Sequence, residues 1–389
     1  MRRLRTFRPR AKKFELILTM LLFSVLGATF LLLIGEDALA ERHPFQFFAD
    51  SNTYLQTYRG EANNFEGQLI GVDSNYLGPL TVLRLLQGNI YLVLLLNVYM
   101  FTHAILHISK LLAIDPLRLA LLLFLSPLTV SSLLSVNKEI FLFPFLAFAL
   151  TGYLRRAWSC VILALASSLL VRWQLTGFYL LLLALASGRR LIPSRFAIVA
   201  ILLVAISILY GLIQPLIEPI LAYVQNSIDT FEGDGSGLFE SVLTLQNQGL
   251  YFLIFPLKAF HLLFGMGFKL DKIFNPVEVY NDLFVSGHCA IAFLVFLTLA
   301  WRRKLSLRSD WVFLALVFLA VFCLTPVFAP RYLYFVFLLG ALMLAGAPPD
   351  LRRIRLRKFR PYRGRLPVRP VTTASSRASI NYSEGPATP

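Results

Sequence analysis

Lys138, Arg172 and Arg331 stand at the borders of long apolar runs, in the short segments Asn137-Lys138-Glu139, Arg172-Trp173-Gln174 and Pro330-Arg331-Tyr332. A charge at mid-bilayer costs about 2.5–3.5 kcal/mol on insertion scales and less near the interface. Such residues therefore snorkel to water or face a polar cavity. Arginine grips phosphate bidentately and keeps its charge, so a cluster of these cations suits an anionic headgroup. A pyrophosphate-linked polyprenyl carrier is one ligand of that kind, with its hydrocarbon in the bilayer and its sugar outside. A sugar leaving pyrophosphate builds negative charge there, which fixed cations stabilise. An inverting transfer also needs a base to take the acceptor hydroxyl's proton. Glu139, Asp50, Asp73 and His288 are the candidates, and the sequence does not choose among them.

Each of these residues also has an ordinary structural reading. Asn137 can cap the helix that follows, and Glu139 suits its positive end. Arg172 beside Trp173 and Arg331 beside Tyr332 can be interface anchors. His288 begins an apolar run, where a histidine is commonly satisfied inside the helix packing. The functional reading gains from coincidence, because Lys138, Arg172 and Arg331 fall on one side under a topology fixed by other residues.

That topology follows from composition. Of 389 residues, 57% are hydrophobic and only 15% charged, which excludes an ordinary soluble domain and a largely disordered chain. Apolar runs near the length of a transmembrane helix lie at 14–34, 88–108, 118–136, 139–154, 157–171, 173–188, 196–216, 281–301, 311–328 and 331–347. The expectation is an all-α, polytopic bundle of ten spans. The first run is longer than a secretory signal core of about 7–15 residues, so it reads as an uncleaved anchor, although Ala38-Leu39-Ala40 resembles a cleavage site. With the N-terminus inside, the inner segments hold 28 Lys and Arg against five acids, and the outer ones nine against 16. This bias puts both termini in the cytoplasm. The net charge of +16 is thus a topology signal rather than a nucleic-acid footprint.

The chain then divides into a basic N-terminus (1–13), a membrane domain (14–347) and a tail (348–389), basic at 352–360 and low in complexity beyond. Long external regions are expected at 35–87 and 217–280, and loops of that length point to work done on their face. The segment 249–267 is apolar but carries Pro256, Lys258, His261 and two glycines. Counting it as a span would invert every later loop, so it reads as an eleventh, re-entrant or interfacial helix. The acidic turn at 232–237 lacks EF-hand spacing, and Cys160, Cys289 and Cys323 sit in apolar runs as small hydrophobes. No metal site is expected. The cytosolic loops are too short for a nucleotide-sugar fold and no phosphate-binding glycine motif occurs, so no cofactor is expected either.

Asn137-Lys138-Glu139 leading one span, Arg172 at the head of a later one and Arg331-Tyr332 opening the last resemble bacterial Wzy-type polysaccharide polymerases, in particular their EpsG-like branch. The resemblance implies joining undecaprenyl-pyrophosphate-linked repeat units into surface polysaccharide at the external face of the inner membrane. Arg172, Arg331 and Tyr332 would then hold the pyrophosphate or its glycan, with Lys138-Glu139 at the same site. The implied partners are the lipid-linked glycan, membrane lipid, a polysaccharide flippase and a chain-length regulator. Unlike O-antigen polymerases, this chain has no paired arginine-rich motif in its two long external loops. Competing readings are a GT-C-type glycosyltransferase using a polyprenyl-monophosphate sugar, where Asp50 is suitably placed, and an O-antigen ligase. A transporter and a non-catalytic membrane partner are further alternatives.

Overall fold

The computed structural model describes residues 9–34, 49–60, 73–188, 194–210, 236–265, 283–325 and 330–351. The motif at 38–40, most of the acidic turn at 232–237, the basic tail at 352–360 and the side chains of Asp50 and Asp73 lie outside the described residues. The described chain is all-helical. Its helices are α1 (Pro9–Ile34), α2 (Ala49–Arg59), α3 (Leu77–Leu85), α4 (Ile90–Leu112), α5 (Pro116–Phe124), α6 (Pro127–Leu134), α7 (Leu142–Arg155) and α8 (Trp158–Val171). There follow α9 (Trp173–Gly188), α10 (Arg195–Tyr210), α11 (Ser236–Asn247), α12 (Tyr251–Phe264), α13 (Ser286–Trp301), α14 (Asp310–Phe322) and α15 (Tyr334–Ala345). Short 3-10 turns at Asp73–Tyr76, Lys138–Phe141 and Pro330–Leu333 lead into α3, α7 and α15.

Every apolar run read from the sequence contains a helix, but the lengths differ. Lys12–Leu33, Ile90–Leu112 and Leu283–Trp301 are long and apolar enough to cross a membrane. The run expected as one span over 118–136 is instead α5 and α6, bent by 96°. The cause is local: Ser126 leaves helical geometry, and Pro127 at the first position of α6 has no N–H to continue α5. Six more apolar helices have 10–17 residues, α12 among them. At about 1.5 Å per residue these fall short of a hydrocarbon core about 30 Å thick.

The helices share one core, centred on α15, whose twelve residues are all buried. Trp311, Phe143 and Phe318 are among the large buried side chains of the other helices. By contrast, Leu18, Leu21, Leu22, Val25 and Leu26 of α1 are exposed, an apolar surface suited to lipid. Polar side chains inside the core serve backbone groups. The Asn97 amide on α4 donates to the carbonyls of Ser132, Leu133 and Ser135 at 2.9–3.3 Å, satisfying the orphan C-terminal end of α6.

Two ends of the bundle can be told apart by what meets there. At one, Lys12 pairs with Asp115, Arg195 pairs with Asp310, the Lys304 ammonium donates to the Met343 carbonyl at 2.9 Å, and the Trp311 indole donates to Pro348 at 2.8 Å. At the other, the Val136 N–H donates to Ser51 Oγ at 3.3 Å, and α3 packs on α8 where Gly78 meets the Leu170 carbonyl. A Cβ at Gly78 would overlap that carbonyl, so this close approach requires glycine. The second end carries the residues singled out for chemistry.

Candidate functional site

Glu139 is turned inward by its own neighbourhood. Asn137 is extended, and its Oδ1 accepts the Glu139 N–H at 3.1 Å, starting the 3-10 turn that leads into α7. The capping role is therefore real, and it coexists with a side chain only 6% exposed. Arg172 closes α8 and opens α9. Its N–H donates to Ser168 at 2.9 Å, its carbonyl accepts from Leu175 at 3.0 Å, and its extended backbone directs the side chain inside, where the residue is 6% exposed.

These two buried side chains meet. Arg172 Nη2 donates to Glu139 Oε1 at 3.1 Å. The same guanidinium lies over the Tyr332 ring, 4.1 Å from its centroid, and Arg331 approaches that ring at 5.8 Å. Four of the eight residues expected at a site thus converge: Glu139, Arg172, Arg331 and Tyr332 line one cavity with Leu142, Val171, Phe318, Phe322 and Phe335. It holds about 10 Å³, close to one water molecule. Glu139 Oε2 has no hydrogen-bond partner among the described residues, so one carboxylate oxygen is tied to arginine and the other is open to a donor.

A larger cavity of about 470 Å³ adjoins it, sharing Arg172, Phe322 and Tyr332. Its walls are Phe178, Leu181, Leu202, Ile206 and Leu209, from α9 and α10, together with Val321 and Leu324 of and after α14. Trp173 and Gln174 stand at its polar end, and Gln174 Oε1 also lacks a partner among the described residues. The arrangement is amphipathic, with guanidinium, carboxylate and amide at one end and an apolar trough beyond.

The remaining expected residues lie elsewhere. Lys138 is buried in the turn beside Glu139 but lines neither cavity. His288 is in the core: its Nδ1 is 2.7 Å from Ser126 Oγ at the α5–α6 bend, and its ring packs against Phe337 and Tyr334. The structure does not bring it to the arginine cavity. Asp50 begins within α2 and Asp73 opens a 3-10 turn, but neither side chain is described.

A clamp that the sequence did not assign supports this end. The Lys258 ammonium, fully buried on α12, donates to Gln246 Oε1 and to the Thr325 carbonyl at 2.7 Å. Gln246 Nε2 donates to the Leu324 carbonyl at 2.9 Å, and the Tyr251 hydroxyl to Ala320 at 2.7 Å. Three side chains from 246–258 therefore take one carbonyl in the last turn of α14 and two just beyond it, from which the chain continues to Arg331 and Tyr332. The available signal was a lysine inside an apolar run. Comparison with protein-family models, with curated proteins and with solved structures returns no match.

Proposed function

We propose that this chain is a multi-pass inner-membrane protein that joins polyprenyl-pyrophosphate-linked oligosaccharide units into surface polysaccharide on the external face. The reading takes ten membrane passes, with both termini in the cytoplasm; the bent pair counts as one broken span, and the short helices cross by local bilayer thinning and burial among their neighbours. The observation that carries it is the convergence of Arg172, Arg331, Tyr332 and Glu139 beside an apolar trough. The grouping of Lys12, Arg118, Arg195 and Lys304 at the opposite end supports the orientation, because basic loops stay inside.

In this reading the trough takes part of the hydrocarbon chain, and the guanidinium groups of Arg172 and Arg331 take the pyrophosphate. Tyr332 holds both by presenting its ring face to them. The acceptor hydroxyl oxygen forms a bond to the sugar's anomeric carbon. The bond from that carbon to the phosphate oxygen breaks, and its electron pair leaves with pyrophosphate. The two arginines stabilise that charge. Glu139 Oε2 takes the proton of the acceptor hydroxyl. The energy is already in the lipid-linked donor, so the step uses no nucleotide.

The test is complementation of a gene deletion with Arg172→Ala and Arg331→Ala, each checked for membrane expression, with glycan length read on a gel. The expected result is single repeat units in place of polymer. Normal-length polymer from both variants overturns the proposal. Loss of single-sugar addition or of capped lipid A, with polymer intact, moves the assignment to a transferase or a ligase.

A further inference from the structure

Helix α15 ends at Gly346, in the left-handed region at φ 102°, in the middle of the basic end. The final carbonyls of a helix carry about half a negative charge. Lys304 bonds one of them, and Arg118 and Arg302 stand on the elements beside it. Lys304 donates to the Met343 carbonyl at 2.9 Å. Arg302 precedes it in the turn after α13, and Arg118 comes from α5, which packs on α15. The crowding is electrostatically felt: the Lys304 ammonium has its pKa lowered, first by burial and then by Arg302 and Arg118.

Three positive charges against about half a negative one leave a surplus of roughly two and a half. Two carboxylates of this end are already engaged by other groups. Asp115 takes Lys12 and the N–H groups of Leu117 and Arg118, while Asp310 takes Arg195 and the N–H of Leu351. Arg118 and Arg302 have no acid partner among the described residues. Water and salt alone would satisfy them on a fully polar surface, but this surface is not polar. Trp301 is 87% exposed, and Leu305 and Leu307 are exposed beside the same turn. One helical turn down the same faces, Leu121 of α5 and Leu297 of α13 are exposed as well. Cations above and uncovered apolar side chains below have the layout of a lipid headgroup over its acyl chains.

We infer that Arg118, Arg302 and Lys304 form a binding site for the phosphate of an anionic phospholipid, seated over the C-terminal end of α15. This site is at the opposite end from the arginine cavity and does not depend on the function proposed for that cavity. A phosphate there ties α5, the α13–α14 turn and α15 together through one ligand.

The test uses the full chain in nanodiscs of phosphatidylcholine with and without phosphatidylglycerol, reading the melting temperature. Phosphatidylglycerol is expected to raise it by several degrees in the parent protein and in a matched tail variant, Arg355→Gln/Arg357→Gln. The gain is expected to vanish in Arg118→Gln/Arg302→Gln, where both side chains are exposed and Lys304 keeps its bond to Met343. An equal gain in the Arg118/Arg302 variant, or its loss in the tail variant, overturns the site. The same gain from inorganic phosphate in pure phosphatidylcholine overturns the lipid as occupant in favour of a soluble anion. If the double variant does not purify, native mass spectrometry of the parent decides. Preferential retention of phosphatidylglycerol over phosphatidylcholine is expected, and equal retention overturns the proposal.

Discussion

At one end of the bundle Arg172 is buried, its guanidinium shared between the Glu139 carboxylate and the Tyr332 ring. At the other end Arg118 and Arg302 are exposed, with no acid partner among the described residues, and Arg195 uses its guanidinium on the carbonyls of Leu307 and Arg308 as well as on Asp310. The same residue type thus meets two electrostatic regimes. An exposed arginine keeps most of its hydration until a ligand displaces it. A buried one has lost it, and a buried ion pair often contributes no net stability over an apolar replacement. The pair at Glu139 and Arg172 is therefore better explained by something it binds than by stability, which is why the two ends are assigned different work.

The sharpest way to break that contrast is Arg172→Ala. It removes the cation that pairs with the buried Glu139 carboxylate, and should cost about 3–5 kcal/mol in reversible unfolding in detergent. Replacing both partners by apolar residues, as in Glu139→Leu/Arg172→Met, should recover most of that loss while abolishing function. If Arg172→Ala unfolds like the parent, the pair is hydrated and the two ends are not different in kind.

Gly78 gives the next largest effect. A Cβ there would overlap the Leu170 carbonyl, two residues before Arg172, so Gly78→Ala pushes α3 off α8 and should cost about 1–3 kcal/mol or more, read as a lower melting temperature. Gly177 on α9 has open space around it, and Gly177→Ala should stabilise by about 0.4–1 kcal/mol through the unfolded chain. Opposite signs for these two variants would tie the destabilisation to the close approach at the arginine end. Equal signs would remove that link.

How much of this was legible beforehand depends on range. α1, α4 and α13 are readable because a long apolar run needs only local composition to declare a helix. Glu139, Arg172, Arg331 and Tyr332 are readable because a charge at the border of such a run is costly, and because the basic loops fix which residues share an end. The bend at Ser126–Pro127 had its signal in Pro127, but the surrounding leucines hide it when hydropathy is averaged over a window. Lateral pairing was not readable. Nothing in the sequence pattern joins Arg172 to Glu139, or His288 to Ser126, 162 residues apart. Such contacts are set by the order of helices around α15. The Lys258 clamp is of the same kind, since an apolar run can advertise a buried lysine but cannot name Gln246 and Thr325 as its partners.

That clamp refines the comparison within the site end. Lys258→Met preserves shape but leaves the Thr325 carbonyl and Gln246 Oε1 without their donor, at about 1–3 kcal/mol. Hydrogen exchange should rise at 330–334, ahead of α15, and stay unchanged at 286–301. Uniform loosening would make Lys258 a general core residue rather than a support for Arg331 and Tyr332.

The smallest effect is expected at the basic end, where it tests the other half of the contrast. Lys12 pairs with Asp115, but their side chains are 38% and 12% exposed. Asp115 is also held by its role as the cap of α5, accepting the N–H groups of Leu117 and Arg118. Water and ions therefore screen the pair, and the carboxylate keeps two donors without its lysine. Lys12→Ala should cost less than about 1 kcal/mol, and the difference from the parent should fade as salt is raised, because a part-exposed ion pair is weak in water and salt weakens it further. The Arg172→Ala penalty should resist the same salt titration. A salt-sensitive Arg172 variant beside a salt-insensitive Lys12 variant would reverse which end excludes water.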